Sequence, residues 1–449
     1  MNSITIHPAQ KLEGAITVPG DKSVSHRAVM FGSLAEGESR VENLLLGEDV
    51  LSTMRIFQQL GVRMSHKPED LSPSDTLVIS GVGLDGLRPS DQILDCGNSG
   101  TTMRLLLGLL AAQPFTSRFT GDASLNRRPM ERVIEPLKKM GAQFEVNHEA
   151  SGRRIITVKG NKNLKGIDYT MPVASAQVKS AILLAGLYAK GETVVHEPAQ
   201  SRDHTERMLK GLGAFFKSRK LTHSVRPGSK LKNFQMRVPG DFSSAAFFMV
   251  AGLVVPHSKL LIQNVGVNPT RDALMSVLEE MVVSKKGSKE KKLSLVDKRE
   301  VSGEPVADIE VLSADLKAIS IGGDIIPKLI DEIPVFSIAA ARAKGDSVVA
   351  DAKELRVKES DRIKTMCQHL KTLGVGVDER EDGFKVHGGK PFPFKAGKFQ
   401  SFGDHRVAMS LAVAALVADG PSVIEDIDCV ATSFPGFFDL LLKLSLKSV

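Results

Sequence analysis

The chain has no tryptophan, only two tyrosines (Tyr169 and Tyr188) and an aromatic content of 5%. Single-stranded nucleic acid is held largely by stacking on aromatic rings. That class of partner is therefore poorly supplied, although the net charge is +7. Cysteine is as scarce: Cys96, Cys367 and Cys429 are scattered, with no CxxC pair and no disulfide framework. A reducing compartment is the expectation. No histidine pair has HExxH spacing and no GxxxxGK[ST] occurs, so the commonest zinc-hydrolase signature and the P-loop are both absent. GVGLDG at 81–86 is formally GxGxxG, but LRP and a strand-like QILDC follow it rather than a helix, so a dinucleotide site is not expected. The longest apolar stretches, such as AAFFMVAGLVV at 245–255, are shorter than the roughly 20 residues of a membrane span and read as buried helices. The opening MNSITIHPAQKLEG has no basic-then-apolar leader, and the location expected is cytoplasmic.

What is present points to a folded protein of more than one domain. At 449 residues and 42% hydrophobic content, the chain exceeds what one core organises, so two or three domains are expected. Basic and acidic residues are mixed, 59 against 52. Two lysine-rich stretches, 217–232 and 284–292, read as exposed, solvated loops.

Self-similarity is the strongest signal. A unit of polar turn, small-residue apolar helix, Gly or Pro, and short β-branched strand recurs at 20–43, 97–121, 174–198, 240–265, 331–352 and 403–426. An amphipathic helix follows each of the first five, at 49–61, 132–141, 203–213, 271–281 and 361–374, and a short helix at 436–444 makes a sixth. Four of the five end in Gly61, Gly141, Gly213 and Gly374, the residue suited to a left-handed cap. Val282 stands at the fourth end instead. The small-residue helices are apolar nearly all round and should be buried, three to a domain.

Each polar turn precedes a helix N-terminus, where free N–H groups and the helix dipole favour anions. Several carry cations: Lys22 and Arg27, Arg104, Lys179, then His405 and Arg406. One such residue is ordinarily solvated surface; their recurrence at buried helix mouths suggests a cleft for a small, highly anionic ligand. Lys358, Glu359 and Arg362 flank another helix start, with Ser360 or Asp361 as its cap. Asp331 opens the fifth unit and is a candidate acid or base, its plain alternative being an N-cap.

The motifs GDKSVSHR (20–27), GNSGTTMR (97–104), RPMER (128–132), SAQVK (175–179), RDHTE (202–206), NPTR (268–271), DEIP (331–334), RVKESDR (356–362), GDHRVAM (403–409) and TSFPGF (432–437) together resemble the 5-enolpyruvylshikimate-3-phosphate synthase family over nearly the whole chain. SAQVK, RDHTE and NPTR resemble its class II branch. The resemblance implies an α/β, two-domain enolpyruvyl transferase fold, each domain three βαβαββ units around buried parallel helices. It implies one domain from 1–20 plus 241–449 and another from 21–240, with crossings at the two VPGD sequences, 18–21 and 238–241. The implied reaction moves the enolpyruvyl group of phosphoenolpyruvate to the 5-hydroxyl of shikimate 3-phosphate, with no metal or organic cofactor, nucleic acid or membrane, in a monomer. By motif match, Lys22, Ser23, Arg27, Ser175, Ala176, Gln177 and Arg202 would hold shikimate 3-phosphate. Lys22, Asn98, Gly100, Arg128, Gln177, Arg362, His405 and Arg406 would line the phosphoenolpyruvate site, which glyphosate occupies in this family. Lys358 would touch both substrates. Asp331 looks like the base, Glu359 like the acid, and Lys22 or Lys358 would steady the departing phosphate. Glu354 and Thr432 stand where other branches carry Asn and Lys, so no contact is carried over there. The related UDP-N-acetylglucosamine enolpyruvyl transferases fit less well, since NRRPMER at 126–132 has no counterpart of their cysteine-bearing loop.

Overall fold

The computed structural model describes residues 2–150, 152–283, 290–389 and 392–446. The chain forms two compact units, each with its own apolar core. One comprises Met1–Pro19, Pro239–Glu300 and Pro305–Val449; the other comprises Gly20–Val238 with Val301–Glu304. Both units are built from repeated strand and helix patterns.

In the unit built on Gly20–Val238, three four-stranded sheets repeat one pattern: a parallel pair, then two antiparallel neighbours. Gln235–Arg237 lies parallel to Glu36–Glu42, which pairs antiparallel with Leu77–Val82, itself antiparallel to Arg63–Met64. Leu94–Asp95, Thr116–Thr120, Arg154–Lys159 and Gln143–His148 repeat the order. So do Asp168–Thr170, Thr193–His196, Thr222–Val225 and Phe216–Arg219. The other unit uses the same parallel-then-antiparallel start. Glu13–Thr17 lies parallel to Lys259–Gly266, and Ser320–Ile321 parallel to Gly345–Val349. Its third sheet pairs Lys398–Gln400 in parallel with Ser422–Glu425, and Ser3–Ile6 closes it antiparallel. The N-terminal strands thus complete sheets whose other strands come from beyond residue 258.

The small-residue helices are Lys22–Leu34, Gly100–Ala111 and Ala176–Gly186 in one unit, and Phe242–Val254, Ile333–Arg342 and His405–Ala415 in the other. Beyond their first turns they are buried nearly throughout. Side-chain contacts join first turn to first turn: Gln177 to Thr101, and Ser243 to Glu332. Helices in contact this way run parallel, so each unit gathers its helix N-termini at one end. The amphipathic helices Glu48–Gln59, Glu131–Lys139, His204–Gly211 and Arg362–Thr372 end in Gly61, Gly141, Gly213 and Gly374 with φ of 90°, 99°, 83° and 85°. The next residue's N–H closes each end onto a carbonyl inside the helix, as Val62 does onto Phe57 and Val375 onto Leu370. This is the Schellman geometry that only glycine adopts without strain. Ala273–Met281 ends instead in extended Val282, which bridges Leu316. The terminal helix Phe437–Leu446 docks through an aromatic cluster of Phe248, Phe434 and Phe437.

One sequence expectation needs correction. The stretch 217–232 is not all loop: Phe216–Arg219 and Thr222–Val225 form an antiparallel hairpin turning at Lys220. The alternation THSV, with His223 and Val225 buried, was masked by the surrounding lysines. Of 284–292, residues 284–289 lie outside the described residues, and Lys292 pairs with Glu290 just before the strand Leu293–Val301. GVGLDG falls at a strand end and turn, with no helix after it. No helix among the described residues is long and apolar enough to cross a membrane.

One close helix approach sets a test of the packing. A Cβ at Gly108 would lie 2.2 Å from the Ala181 carbonyl oxygen and within 2.8 Å of its Cα. Backbone cannot swing away as a side chain can, so Gly108→Ala should destabilise the protein by about 1–3 kcal/mol, as overpacking does. Urea unfolding monitored by circular dichroism measures it; an unchanged midpoint would show that the two helices separate freely.

Candidate active site

The helix starts of the Gly20–Val238 unit carry the first cluster. Asp21 caps Lys22–Leu34 by accepting the Val24 N–H at 2.9 Å. Lys22 Nζ lies 3.0 Å from Asp49. Arg27, one turn on, is buried; its Nε donates to Thr205 Oγ1 at 2.6 Å, Nη2 to Ser180 Oγ at 3.1 Å, and Nη1 to the Ser23 carbonyl at 2.9 Å. Burial draws its pKa down to about 10, opposed by the Glu206 and Asp21 carboxylates. It therefore stays cationic at neutral pH. Arg202 is near enough for its like charge to act on Arg27.

The second helix start binds the first turn of the third. Ser99 caps Gly100–Ala111, and Ser175 caps Ala176–Gly186. Gln177 accepts from Arg104 Nη1 at 2.5 Å and donates to Thr101 at 2.9 Å. Arg128 Nη2 donates to Asn98 at 2.8 Å, and Asn98 donates to Asp122 at 2.7 Å. Gly100 sits between two guanidinium groups: a Cβ there would lie 3.0 Å from Arg104 Nη1 and 3.3 Å from Arg128 Nη1. Asn98, Gly100, Arg128 and Gln177 are thus brought into one group, with Arg104 as a member that the motif match leaves out.

Lys179 belongs elsewhere, a correction to its reading as a helix-mouth cation. It is fully buried, with Nζ 2.6 Å from Glu197 and 2.5 Å from Glu206. His223 Nε2 lies 3.0 Å from Glu197, and the Ser201 hydroxyl donates to the same carboxylate. Burial pushes the Glu197 carboxyl up, but His223, Lys179 and Ser201 together hold it below its usual range. Four residues after the cap, the helix has turned its side chain inward. Glu197, Glu206 and His223 are spaced closely enough to hold a metal ion. The Lys179 ammonium, in contact with both carboxylates, already supplies the positive charge there.

In the other unit, Arg362 is the hub. It is 1% exposed. Nε donates to Asp404 at 2.8 Å, Nη2 to Glu359 at 2.6 Å, and Nη1 to Asp331 at 3.3 Å. Three carboxylates raise its pKa against a large burial penalty. Arg406 Nη1 donates to the Asp331 carbonyl at 3.0 Å, and its Nε lies 3.8 Å from the Asp331 carboxylate. Asp331 is therefore no N-cap: Glu332 occupies that position and accepts from Ser243. Asp361, not Ser360, caps Arg362–Thr372. Asp404 caps His405–Ala415, accepting the Arg406 N–H at 2.9 Å, and also takes the Ser360 hydroxyl at 3.0 Å. Sequence reasoning missed it, although the D in GDHR is a ready N-cap signal. Burial lowers the Lys358 pKa, with the Asp331 and Glu354 carboxylates opposing.

Comparison with known proteins bears on what these clusters serve. Residues 6–441 match the family model described as EPSP synthase (3-phosphoshikimate 1-carboxyvinyltransferase). The chain is 51% identical over 447 residues to a 3-phosphoshikimate 1-carboxyvinyltransferase of Geobacter metallireducens, covering 100% of both chains. It is 48% identical to one from Bacillus cytotoxicus, covering 96% of this chain and 98% of the other. The structure of EPSP synthase from Acinetobacter baumannii superposes with a TM-score of 0.85 at 44% identity, covering 99% of each chain. The enolpyruvyl transferase NikO from Streptomyces tendae shares the fold, with a TM-score of 0.75 at 16% identity over 98% of this chain and 96% of that one.

The Asp404 geometry carries a sign-definite expectation. Burial alone would raise its pKa, but Arg362 holds it below the ordinary value. Such a carboxyl contributes stability that is complete above its unfolded pKa of about 3.9 and is lost as pH falls through the folded value. Asp404→Asn breaks a buried pair, so it should lower Tm by at least ~5 °C at pH 7. The gap to the unmodified protein should close as pH drops below about 4. Thermal melts across that range check it; a pH-independent gap would assign the loss to capping geometry rather than charge.

Proposed function

This chain belongs to the EPSP synthase family, and we propose how its residues divide the reaction. The activity is that of a 3-phosphoshikimate 1-carboxyvinyltransferase in the shikimate pathway to aromatic amino acids. The enolpyruvyl group of phosphoenolpyruvate passes to the 5-hydroxyl of shikimate 3-phosphate, and phosphate is released. Lys22, Ser23, Arg27, Ser175, Ala176, Gln177 and Arg202 are assigned to shikimate 3-phosphate. Lys22, Asn98, Gly100, Arg128, Gln177, Arg362, His405 and Arg406 are assigned to phosphoenolpyruvate, and Lys358 to both. Cations and helix N-termini suit two polyanionic substrates, and Arg matches carboxylate and phosphate bidentately.

One observation carries the role assignment: Arg362 holds Asp331 and Glu359 on a single guanidinium. The reaction needs one group to take the hydroxyl proton and another to protonate the methylene carbon. Asp331 is assigned to the first task and Glu359 to the second. The hydroxyl oxygen then bonds to the enol carbon, giving a tetrahedral intermediate that still bears phosphate. Its carbon–oxygen bond to phosphate breaks as a methyl proton returns to the Glu359 carboxylate that supplied it, regenerating the enol ether. Lys22 or Lys358 stabilises the leaving phosphate. Burial lowers the Lys358 pKa, which suits a group that follows charge as it moves. SAQVK (175–179), RDHTE (202–206) and NPTR (268–271) support placement in the class II branch.

Two tests follow from this assignment. Phosphate release should require both substrates and persist in a chelator. In that assay Asp331→Asn and Glu359→Gln should each lower kcat by about 10²–10⁴-fold, far more than they weaken substrate binding. Near-normal turnover in either variant returns that residue to a structural role on Arg362.

Glyphosate, which is longer than phosphoenolpyruvate, should compete with it. A Cβ on Gly100 meets two guanidinium groups, so Gly100→Ala should raise the glyphosate inhibition constant by about 10–100-fold, and the phosphoenolpyruvate KM by less. Equal changes in both constants would show that this position does not discriminate by length.

A further inference from the structure

The chain buries its cations in contrasting ways. Arg362 is surrounded by three carboxylates, and Lys179 by two. Each is in direct contact with carboxylates of the protein itself. Arg27 is 3% exposed, yet every acceptor on its guanidinium is neutral: the Ser23 carbonyl, the Ser180 hydroxyl and the Thr205 hydroxyl. Among the described residues, no carboxylate forms an ion pair with it. Of the carboxylates that act on it without contact, Glu206 has the largest effect, and it is itself in contact with Lys179. A buried cation without a contact anion is costly, and that cost is repaid when an anionic ligand arrives.

The two hydroxyls have a particular arrangement. Ser180 Oγ and Thr205 Oγ1 lie 2.7 Å apart, bonded to each other, and accept from Nη2 and Nε respectively. Both are buried. One comes from the helix Ala176–Gly186 and the other from His204–Gly211. Together they hold one edge of the planar guanidinium against rotation without neutralising it. A carboxylate there would hold it as firmly but cancel the charge.

We propose that Ser180 and Thr205 are positioning residues for shikimate 3-phosphate binding, acting through Arg27 as a neutral clamp that keeps its charge available to the ligand. This rests on the assignment of Arg27 to shikimate 3-phosphate above. Neither hydroxyl is asked to touch substrate.

The experiment measures the dissociation constant of shikimate 3-phosphate, its KM, the phosphoenolpyruvate KM and kcat in the full-length enzyme. The variants are Thr205→Val, Thr205→Ser, Arg27→Lys and the double variant Arg27→Lys/Thr205→Val. Loss of a hydrogen bond from a charged donor should raise the shikimate 3-phosphate constants about tenfold in Thr205→Val, with kcat and the phosphoenolpyruvate KM within about twofold. Thr205→Ser keeps the hydroxyl and should restore the unmodified values. In the Arg27→Lys background the same Val substitution should cost less than about twofold, because a residue acting only through Arg27 has lost its target. An equal rise in both substrates' KM, or an undiminished cost in the Arg27→Lys background, overturns the clamp and leaves a purely structural hydroxyl pair. If Arg27→Lys weakens shikimate 3-phosphate binding but Thr205→Val does not, the clamp alone is overturned. If Arg27→Lys leaves that binding unchanged, the assignment of Arg27 falls, and the clamp with it. Should Thr205→Val fail to fold, Ser180→Ala removes the Nη2 acceptor and runs through the same cycle.

Discussion

Everything in each unit depends on how closely helices of small residues can approach. Gly108 lies against the Ala181 backbone of a neighbouring helix, while Gly32 and Gly252 let their helices lie against the strand residues Ile79 and Val311. Such helices expose almost no side to water, so burial of apolar surface holds them together all round. Their ends are then the places left for polar chemistry. Since the helices in contact run parallel, the orphan N–H groups and positive dipole ends of a unit collect on one side. Asp21, Ser99, Ser175, Asp241 and Asp404 satisfy part of that demand as caps. The packing of the core therefore decides where anions can bind before any cationic side chain is placed.

Cationic side chains are then managed by their neighbours. Arg362 gathers Asp331, Glu359 and Asp404, so it holds these carboxylates beside one another. Lys179 ties the strand end at Glu197 to the helix His204–Gly211 through Glu206. Ser201, bonded to Glu197 through both its N–H and its hydroxyl, carries that restraint to the residue before Arg202. Arg27 is held by oxygen dipoles alone. The same residue type thus organises acids in one place and is held by neutral oxygens in another, and only the acceptors around it distinguish the two.

Much of this was legible in the sequence because it is local. The helix periodicity, the polar caps and the four terminal glycines depend on residues within a few positions of each other. All four glycines take the left-handed conformation. The motif-bearing residues Asn98, Gly100, Arg128 and Gln177 do come together, as do Asp331, Glu359, Arg362 and Arg406. A segment read by composition alone fared worse. Lysines around 217–232 suggested loop, whereas cross-strand pairing with Thr193–His196 makes Thr222–Val225 a strand.

By itself, then, the amino-acid sequence determined the repeat, the buried helices, their caps and the family, since each rests on short-range patterns or on many ordered motifs. Tertiary structure alone decided which partner each charge received. Lys179 and Lys22 both stand at the start of small-residue helices, yet one points into the core and the other lies beside Asp49. Asp404 reaches Arg362 from 42 positions away, and Thr205 reaches Arg27 from 178. The strand Glu13–Thr17 finds Lys259–Gly266 across more than half the chain. Such choices follow from helix rotation and sheet register. Both are set by the shape of the whole core, and no local run of residues encodes them.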